Sequence, residues 1–136
     1  MKREIKFRAW DAKEKQMLEV NHLFNLDNKQ PIEVWTNYYE GGYRFNPDKS
    51  ELMQYTGLTD ANGEEIYEGD LVTLTDDSED PIYRVIFDEA KFEISGGGVL
   101  YDLGEEFMNC EVIGNVHENP ELLEAKSNAT DNESQG

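Results

Sequence analysis

The chain has 136 residues, the length of about one domain, and its 30 acidic and 12 basic residues give a net charge of −18. This charge repels phosphate and argues against direct binding to DNA or RNA, and no apolar run approaches the roughly 18 residues of a membrane-spanning helix. The single cysteine, Cys110, excludes an intramolecular disulfide, and without an apolar leader at the amino terminus it indicates a cytoplasmic protein.

Period-two hydrophobicity predicts strands through the first half of the chain. Residues 4–10 alternate apolar and polar side chains, which is typical of a half-buried strand. Runs rich in β-branched and aromatic residues predict further strands at 17–20, 32–39 and 52–56. Residues 57–65 are predicted to be a loop containing a tight turn, because Asn62-Gly63 supplies the positive φ that such a turn requires.

The second half reads as about five short strands separated by turns. The predicted strands are 66–74, in which Gly69-Asp70 marks a bend before the β-branched run, and 82–87, 92–94, 99–103 and 112–116. The acidic run 76–80 repels itself and is predicted to be an exposed loop, and Gly96–Gly98 is predicted to be a flexible loop or a barrel corner. The fold class is therefore mainly β (β-rich α+β), with N-terminal strands and a small SH3-like, partly open barrel over about 66–118.

The sequence pattern changes from strands to a helix start and then a polar segment near the end of the chain. Asn119-Pro120-Glu121 has the cap residue, the first-turn proline and the early acid of a helix start, which predicts a short C-terminal helix. Residues 127–136 have almost nothing to bury and are predicted to be a disordered tail. We therefore expect one domain over 1–126.

Three segments resemble a known family. They read REIKFRAWD at 3–11, LMQYTGL at 52–58 followed by EIYEGDLV at 65–72, and VIGNVHENPELL at 112–123. In this order they resemble the YopX family of bacteriophage and prophage proteins. The resemblance implies a β-rich phage protein acting in a bacterial host cell, and it implies no catalytic residue, since the family has no assigned activity.

Candidate catalytic and metal-binding residues are few. We interpret the two histidines, His22 and His117, as ordinary surface or hydrogen-bonded residues, because they lie 95 positions apart and a lone histidine beside strand residues usually has such a role. The carboxylates around Cys110 raise the pKa of its thiol, which predicts an inert, partly buried cysteine. Asp60 and Glu64 faintly resemble a calcium loop with the wrong spacing. We therefore predict no catalytic site, no metal and no cofactor.

Charge is the feature that points to a function. The candidate interaction surface is the acidic run Asp76, Asp77, Glu79 and Asp80. We expect a non-enzymatic protein that binds a host or phage protein with a basic surface, acting as an inhibitor or nucleic-acid mimic. One alternative is a homo-oligomeric assembly protein joined through exposed strand edges, and another is an enzyme with dispersed carboxylate or tyrosine residues. A third interpretation is that the acidity only maintains solubility.

Overall fold

The computed structural model describes residues 4–24, 33–36, 43–44 and 50–123, with side chains described for 4–20 and 51–123. The chain divides into two compact units, Met1–Tyr55 and Thr56–Gly136. The predicted tail at 127–136 lies outside the described residues.

The first unit is an antiparallel sheet with strand order β4-β3-β2-β1-β5. Its strands are β1 Phe7–Asp11, β2 Gln16–Phe24, β3 Glu33–Thr36 and β4 Tyr43–Arg44, together with the first part of β5 Ser50–Thr59. Ala9 in β1 lies opposite Leu18 in β2, and both side chains are buried. The buried Asp11 ends β1 and accepts hydrogen bonds from the N–H groups of Lys13 and Glu14, which turns the chain into β2.

The second unit contains a five-stranded antiparallel half-barrel with strand order β10-β9-β8-β7-β11. Its strands are β7 Asp70–Thr73, β8 Tyr83–Asp88, β9 Lys91–Gly96, β10 Val99–Asp102 and β11 Glu111–Asn115. The short β6 Glu65–Tyr67 is the hydrogen-bonded neighbour of β5, which extends into this unit. One core fills the unit and consists of Ile66, Val72, Tyr83, Val85, Ile94, Leu103 and Cys110. Burying each large apolar side chain contributes about 1.5–3 kcal/mol.

Most predicted elements of the second unit are confirmed, with differences at glycines. The bend predicted at Gly69-Asp70 is confirmed, because β6 ends at Tyr67, Gly69 has a φ of +84° and β7 begins at Asp70. The carboxylate of Asp70 accepts the N–H of Tyr67 and holds this bend. β5 continues to Thr59, so the first residues of the predicted 57–65 loop are strand. Gly96 belongs to β9, and Gly97 and Gly98 form a tight hairpin turn.

A helical stretch between β10 and β11 was not predicted. It comprises α1 Leu103–Glu106 and a 3-10 turn, Phe107–Asn109, and the side chain of Asp102 caps α1 by accepting the N–H of Gly104. The predicted C-terminal helix is confirmed at residues 120–123. The β-rich class and the partly open barrel of the second half are also confirmed, while the likeness to an SH3 fold stays a prediction.

Candidate functional site

The boundary between the two units also divides the charge of the chain. Residues 1–55 contain nine basic and nine acidic residues, so this unit carries no net charge. Residues 56–136 contain three basic and 21 acidic residues, which is the whole net charge of −18. Between residues 56 and 123 the two basic residues are Arg84 and Lys91, and the ammonium of Lys91 is 3.8 Å from the carboxylate of Glu93.

The negative side chains of the second unit are largely at its surface. Asp60 and Asp70 are buried, and several others are half-buried. The exposed acidic residues of the described part of this unit are Glu64, Asp76, Asp77, Glu79, Asp88, Glu89, Glu105, Glu111, Glu118 and Glu121. Because few cations offset them, these carboxylates sum to a negative field around the unit.

The acidic loop, residues 76–80, lies between β7 and β8, and residues 76–79 are exposed as predicted while Asp80 is half-buried. It has internal hydrogen bonds. The carboxylate of Asp77 accepts the N–H of Glu79 at 2.9 Å, and the backbone carbonyl of Asp77 accepts the N–H of Asp80 at 3.1 Å. The hydroxyl of Thr75 donates to the carboxylate of Asp80. Two of the four predicted surface carboxylates therefore shape the loop.

The other two carboxylates of the acidic loop have no such role. Within the described part of the chain, the side chains of Asp76 and Glu79 form no hydrogen bond and no ion pair, and both residues are exposed. The loop thus presents two unpaired negative charges on a backbone that the Asp77 and Asp80 bonds hold in place. An incoming cationic group would meet them without first breaking a contact within the described chain.

A pocket of about 180 Å³ adjoins the acidic loop. Its lining residues are Ala61, Asn62, Thr73, Leu74, Thr75, Asp76, Asn109, Cys110 and Glu111. Asp76 and Glu111 are both exposed and are distant in sequence, and both line this pocket. An acidic residue of β11 therefore lines the same pocket as the first residue of the acidic loop.

The turn beside this pocket is held by the carboxylate of Asp60. One oxygen accepts the N–H groups of Asn62 and Glu64, both at 2.8 Å, and the other accepts the N–H of Val112 at 2.9 Å. Burial raises the pKa of Asp60, but these donors and the N–H of Gly63 outweigh it and hold the pKa below its ordinary value. Asp60 is therefore ionised, and its hydrogen bonds fix the turn and attach it to β11.

The hydrogen bonds of Asp60 bear on the resemblance of this segment to a calcium loop. Both carboxylate oxygens of Asp60 already accept backbone N–H groups, which a cation bound there would displace. In the parts of the chain that the structure describes, no group of three or more His, Cys, Asp or Glu side chains is placed to hold a metal ion.

Cys110 lies against the pocket and belongs to the core. Its side chain is fully buried, more than the partial burial predicted from sequence. Burial raises the pKa of the Cys110 thiol to about 11, and the carboxylates of Glu106 and Asp60 add to the rise. The thiol therefore stays protonated at neutral pH, which agrees with the predicted inert cysteine.

The histidines lie in different environments. His117 is half-buried in the turn after β11, where its backbone N–H donates to the side-chain oxygen of Asn115 at 3.0 Å. His22 lies in β2, and its side chain is outside the described residues. None of the helices in the described ranges has the length and apolar character needed to span a bilayer.

Three buried polar residues that support the site were not predicted from the sequence. Asp60, Asp70 and Asn115 are each less than a tenth exposed and accept backbone N–H groups of nearby turns. The signal for Asp60 was present, because an aspartate two residues before Asn-Gly commonly accepts the N–H two residues on.

The chain matches a known protein family and is similar to solved structures. A family model described as YopX protein matches residues 6–124. The solved structure of protein EF1440 from Enterococcus faecalis is similar at 26% identity and a TM-score of 0.57, over 90% of this chain and 99% of that chain. Protein yopX from Bacillus subtilis is similar at 24% identity and a TM-score of 0.63, over 87% of this chain and 95% of that chain. No curated protein matches.

Proposed function

Since the chain belongs to the YopX protein family, with residues 6–124 matching its model, we propose that it is a non-enzymatic, phage- or prophage-encoded binding protein. It acts in the cytoplasm of the bacterial host. Its partner is a host or phage protein with a basic surface, which meets the acidic second unit. The family supports the fold, and the charge of the chain supports the type of partner.

The observation that carries this proposal is the confinement of the net charge to one unit. A field concentrated on residues 56–136 attracts and orients a basic surface, which raises the association rate more than the final affinity. The same field opposes nucleic acid, whose binding requires lysine and arginine side chains to replace the counterions of phosphates. If acidity served only to keep the whole protein soluble, a first unit without net charge would not be expected in the same chain.

The acidic loop is the proposed contact. Asp76 and Glu79 present unpaired charges, and Asp77 and Asp80 hold the loop that carries them. Glu111 lines the same pocket as Asp76. A basic surface that normally binds phosphates suits such an arrangement, so inhibition of a nucleic-acid-binding protein is the form of the function that we favour.

The test is capture of partners by the tagged full chain from nuclease-treated host lysate at low and moderate salt. We expect a basic protein whose retention weakens as salt rises. For the purified pair, Asp76→Asn with Glu79→Gln should slow association roughly threefold to tenfold. The matched control, Asp88→Asn with Glu89→Gln, removes the same charge from the exposed turn between β8 and β9 and should have a smaller effect.

Two results would count against the proposal. Tight binding of purified protein to duplex or single-stranded nucleic acid would contradict the assigned partner class. Equal effects of the two double variants would remove the acidic loop from the contact and leave only the general field of the unit.

A further inference from the structure

β10 forms an apolar edge of the half-barrel. It is the last strand of the sheet at this side, and among the described residues no strand lies beyond it. Three consecutive residues of β10 are exposed: Val99 at 40%, Leu100 at 55% and Tyr101 at 39%. Natural proteins usually protect such an edge with charges, proline or a bulge, and this strand has none of these at 99–101.

The hairpin determines which backbone groups of β10 are available. Gly97 and Gly98 both have positive φ, as a two-residue type I′ turn requires, and Gly96 pairs with Val99. The turn directs the N–H of Val99 to the carbonyl of Gly96. Because antiparallel ladders alternate, the N–H and C=O of Leu100 then point away from β9. The most exposed residue of the strand therefore also presents its backbone outward.

The opposite edge of the same sheet differs. β11 is irregular between Val112 and Gly114, and the N–H of Val112 is bound by Asp60. The N–H of Asn115 is bound by the side-chain oxygen of Asn119 at 3.1 Å. These internal acceptors use donors that an added strand would need, so β11 is protected and β10 is not.

We propose that β10 pairs antiparallel with β10 of a second copy of the chain, about a two-fold axis through Leu100. This register places Leu100 opposite Leu100, Val99 opposite Tyr101 and Gly98 opposite Asp102 of the second copy. No two like charges face each other across the new ladder. The N–H of Leu100 in each copy donates to the carbonyl of Leu100 in the other. An isologous contact of this kind closes at a dimer.

The proposed dimer does not depend on the proposed function, and dimerisation and partner binding should respond to salt in opposite directions. Each copy carries −18, so the copies repel each other at low ionic strength and the dimer strengthens as salt rises. Binding of a basic partner weakens over the same range. The exposed apolar surface of one short strand is small, so the expected dimer is weak, with dissociation constants of about 10–500 µM.

The experiment is sedimentation velocity of the full chain from about 5 to about 500 µM at low and high salt. We expect a dimer whose fraction rises with protein and with salt. Leu100→Pro removes the outward N–H, which the β9–β10 hairpin does not use, and proline is accepted at such a position of an edge strand. The hairpin should therefore be retained while dimerisation weakens at least about tenfold. Leu100→Glu, at an exposed position that tolerates a charge, opposes two carboxylates at the axis and should have the same effect.

The matched control is Met108→Ser, which removes an exposed apolar side chain, 68% accessible, outside β10 and should leave the dimer unchanged. Amide spectra of each variant verify that the fold is retained. A monomer at every concentration and salt would overturn the proposal. A dimer insensitive to both Leu100 variants would also overturn it and assign the contact to another surface.

Discussion

The carboxylate of Asp60 accepts the backbone N–H of Val112 at 2.9 Å, across 52 positions of sequence. A second bond runs beside it, from the N–H of Ala61 to the carbonyl of Cys110 at 2.9 Å. Together they attach the turn after β5 to the start of β11, next to the pocket and the acidic loop. The start of β11, which carries Glu111, is therefore held by a carboxylate that is itself buried.

Asp60→Asn should destabilise the protein at neutral pH by about 2–3 kcal/mol. An amide has one acceptor oxygen, so either Val112 or the pair Asn62 and Glu64 loses its acceptor and leaves a buried N–H unpaired. Urea unfolding at pH 7, compared between the original chain and the variant, measures the difference. The control is Asp76→Asn, an exposed carboxylate without a hydrogen bond in the described chain, which should change stability by less than about 0.5 kcal/mol.

The destabilisation caused by Asp60→Asn should depend on pH in a defined direction. The pKa of Asp60 is lower in the folded protein than in the unfolded chain, where it is about 3.9. The contribution of the ionised carboxylate is therefore present above pH 3.9 and is lost as pH falls through the folded pKa. The difference in unfolding free energy between the original chain and the variant should narrow as pH falls below about 4, and a constant difference would show that the ionised form has no special role.

Cys110 should resist thiol reagents in the folded protein. With a pKa of about 11, its thiolate fraction at pH 8 is roughly 200- to 300-fold below that of an ordinary cysteine, and burial blocks access as well. Labelling with an aromatic disulfide reagent at pH 8 should therefore proceed at the rate of unfolding and accelerate sharply in urea. Fast labelling of the native chain would contradict the placement of this side chain in the core.

The same raised pKa predicts a loss of stability in alkali. The thiol favours the folded state fully below the unfolded pKa of about 8.5, and this contribution is lost as pH rises towards 11. Cys110→Ala removes the titrating group, so the difference in unfolding free energy between the original chain and this variant should fall over that range. The comparison cancels the tyrosine and lysine titrations that both proteins share.

The strands were predictable because their local patterns agree with their environment. Val85 and Ile94 are buried opposite each other in β8 and β9, as the alternation in both segments requires. The acidic loop was predictable for the same reason, since consecutive carboxylates and a proline cannot continue a strand. These signals are contained in a few neighbouring residues.

The remaining features depend on contacts between distant residues. Nothing near Leu103–Glu106 in sequence shows that Leu103 would be buried against the half-barrel core, which orders this short helix despite a glycine at its second position. The hydrogen bond from Val112 to Asp60 and the pocket lined by both Asp76 and Glu111 likewise involve separate segments of the chain. The uneven distribution of charge was visible in the sequence, but only the boundary after Tyr55 shows that the net charge belongs to one unit.

Gly114→Ala should destabilise the second unit by about 1–3 kcal/mol. Gly114 lies in β11, and a Cβ there would be 2.4 Å from Oδ1 and 2.7 Å from Cγ of Asn119. That oxygen cannot simply move away, because it accepts the N–H of the buried Asn115 at 3.1 Å. The cost thus arises from the close packing of a backbone against one side chain, and urea unfolding measures it.

A double-mutant cycle with Asn119→Ala tests this cause directly. Asn119→Ala should itself cost about 1 kcal/mol, because the N–H of Asn115 loses its acceptor. Once that side chain is gone the new methyl has room, so Gly114→Ala should cost less in the Asn119→Ala background, with a coupling of at least about 0.5 kcal/mol. If alanine at 114 costs the same in both backgrounds, the glycine is required by the backbone of β11 and not by the side chain of Asn119.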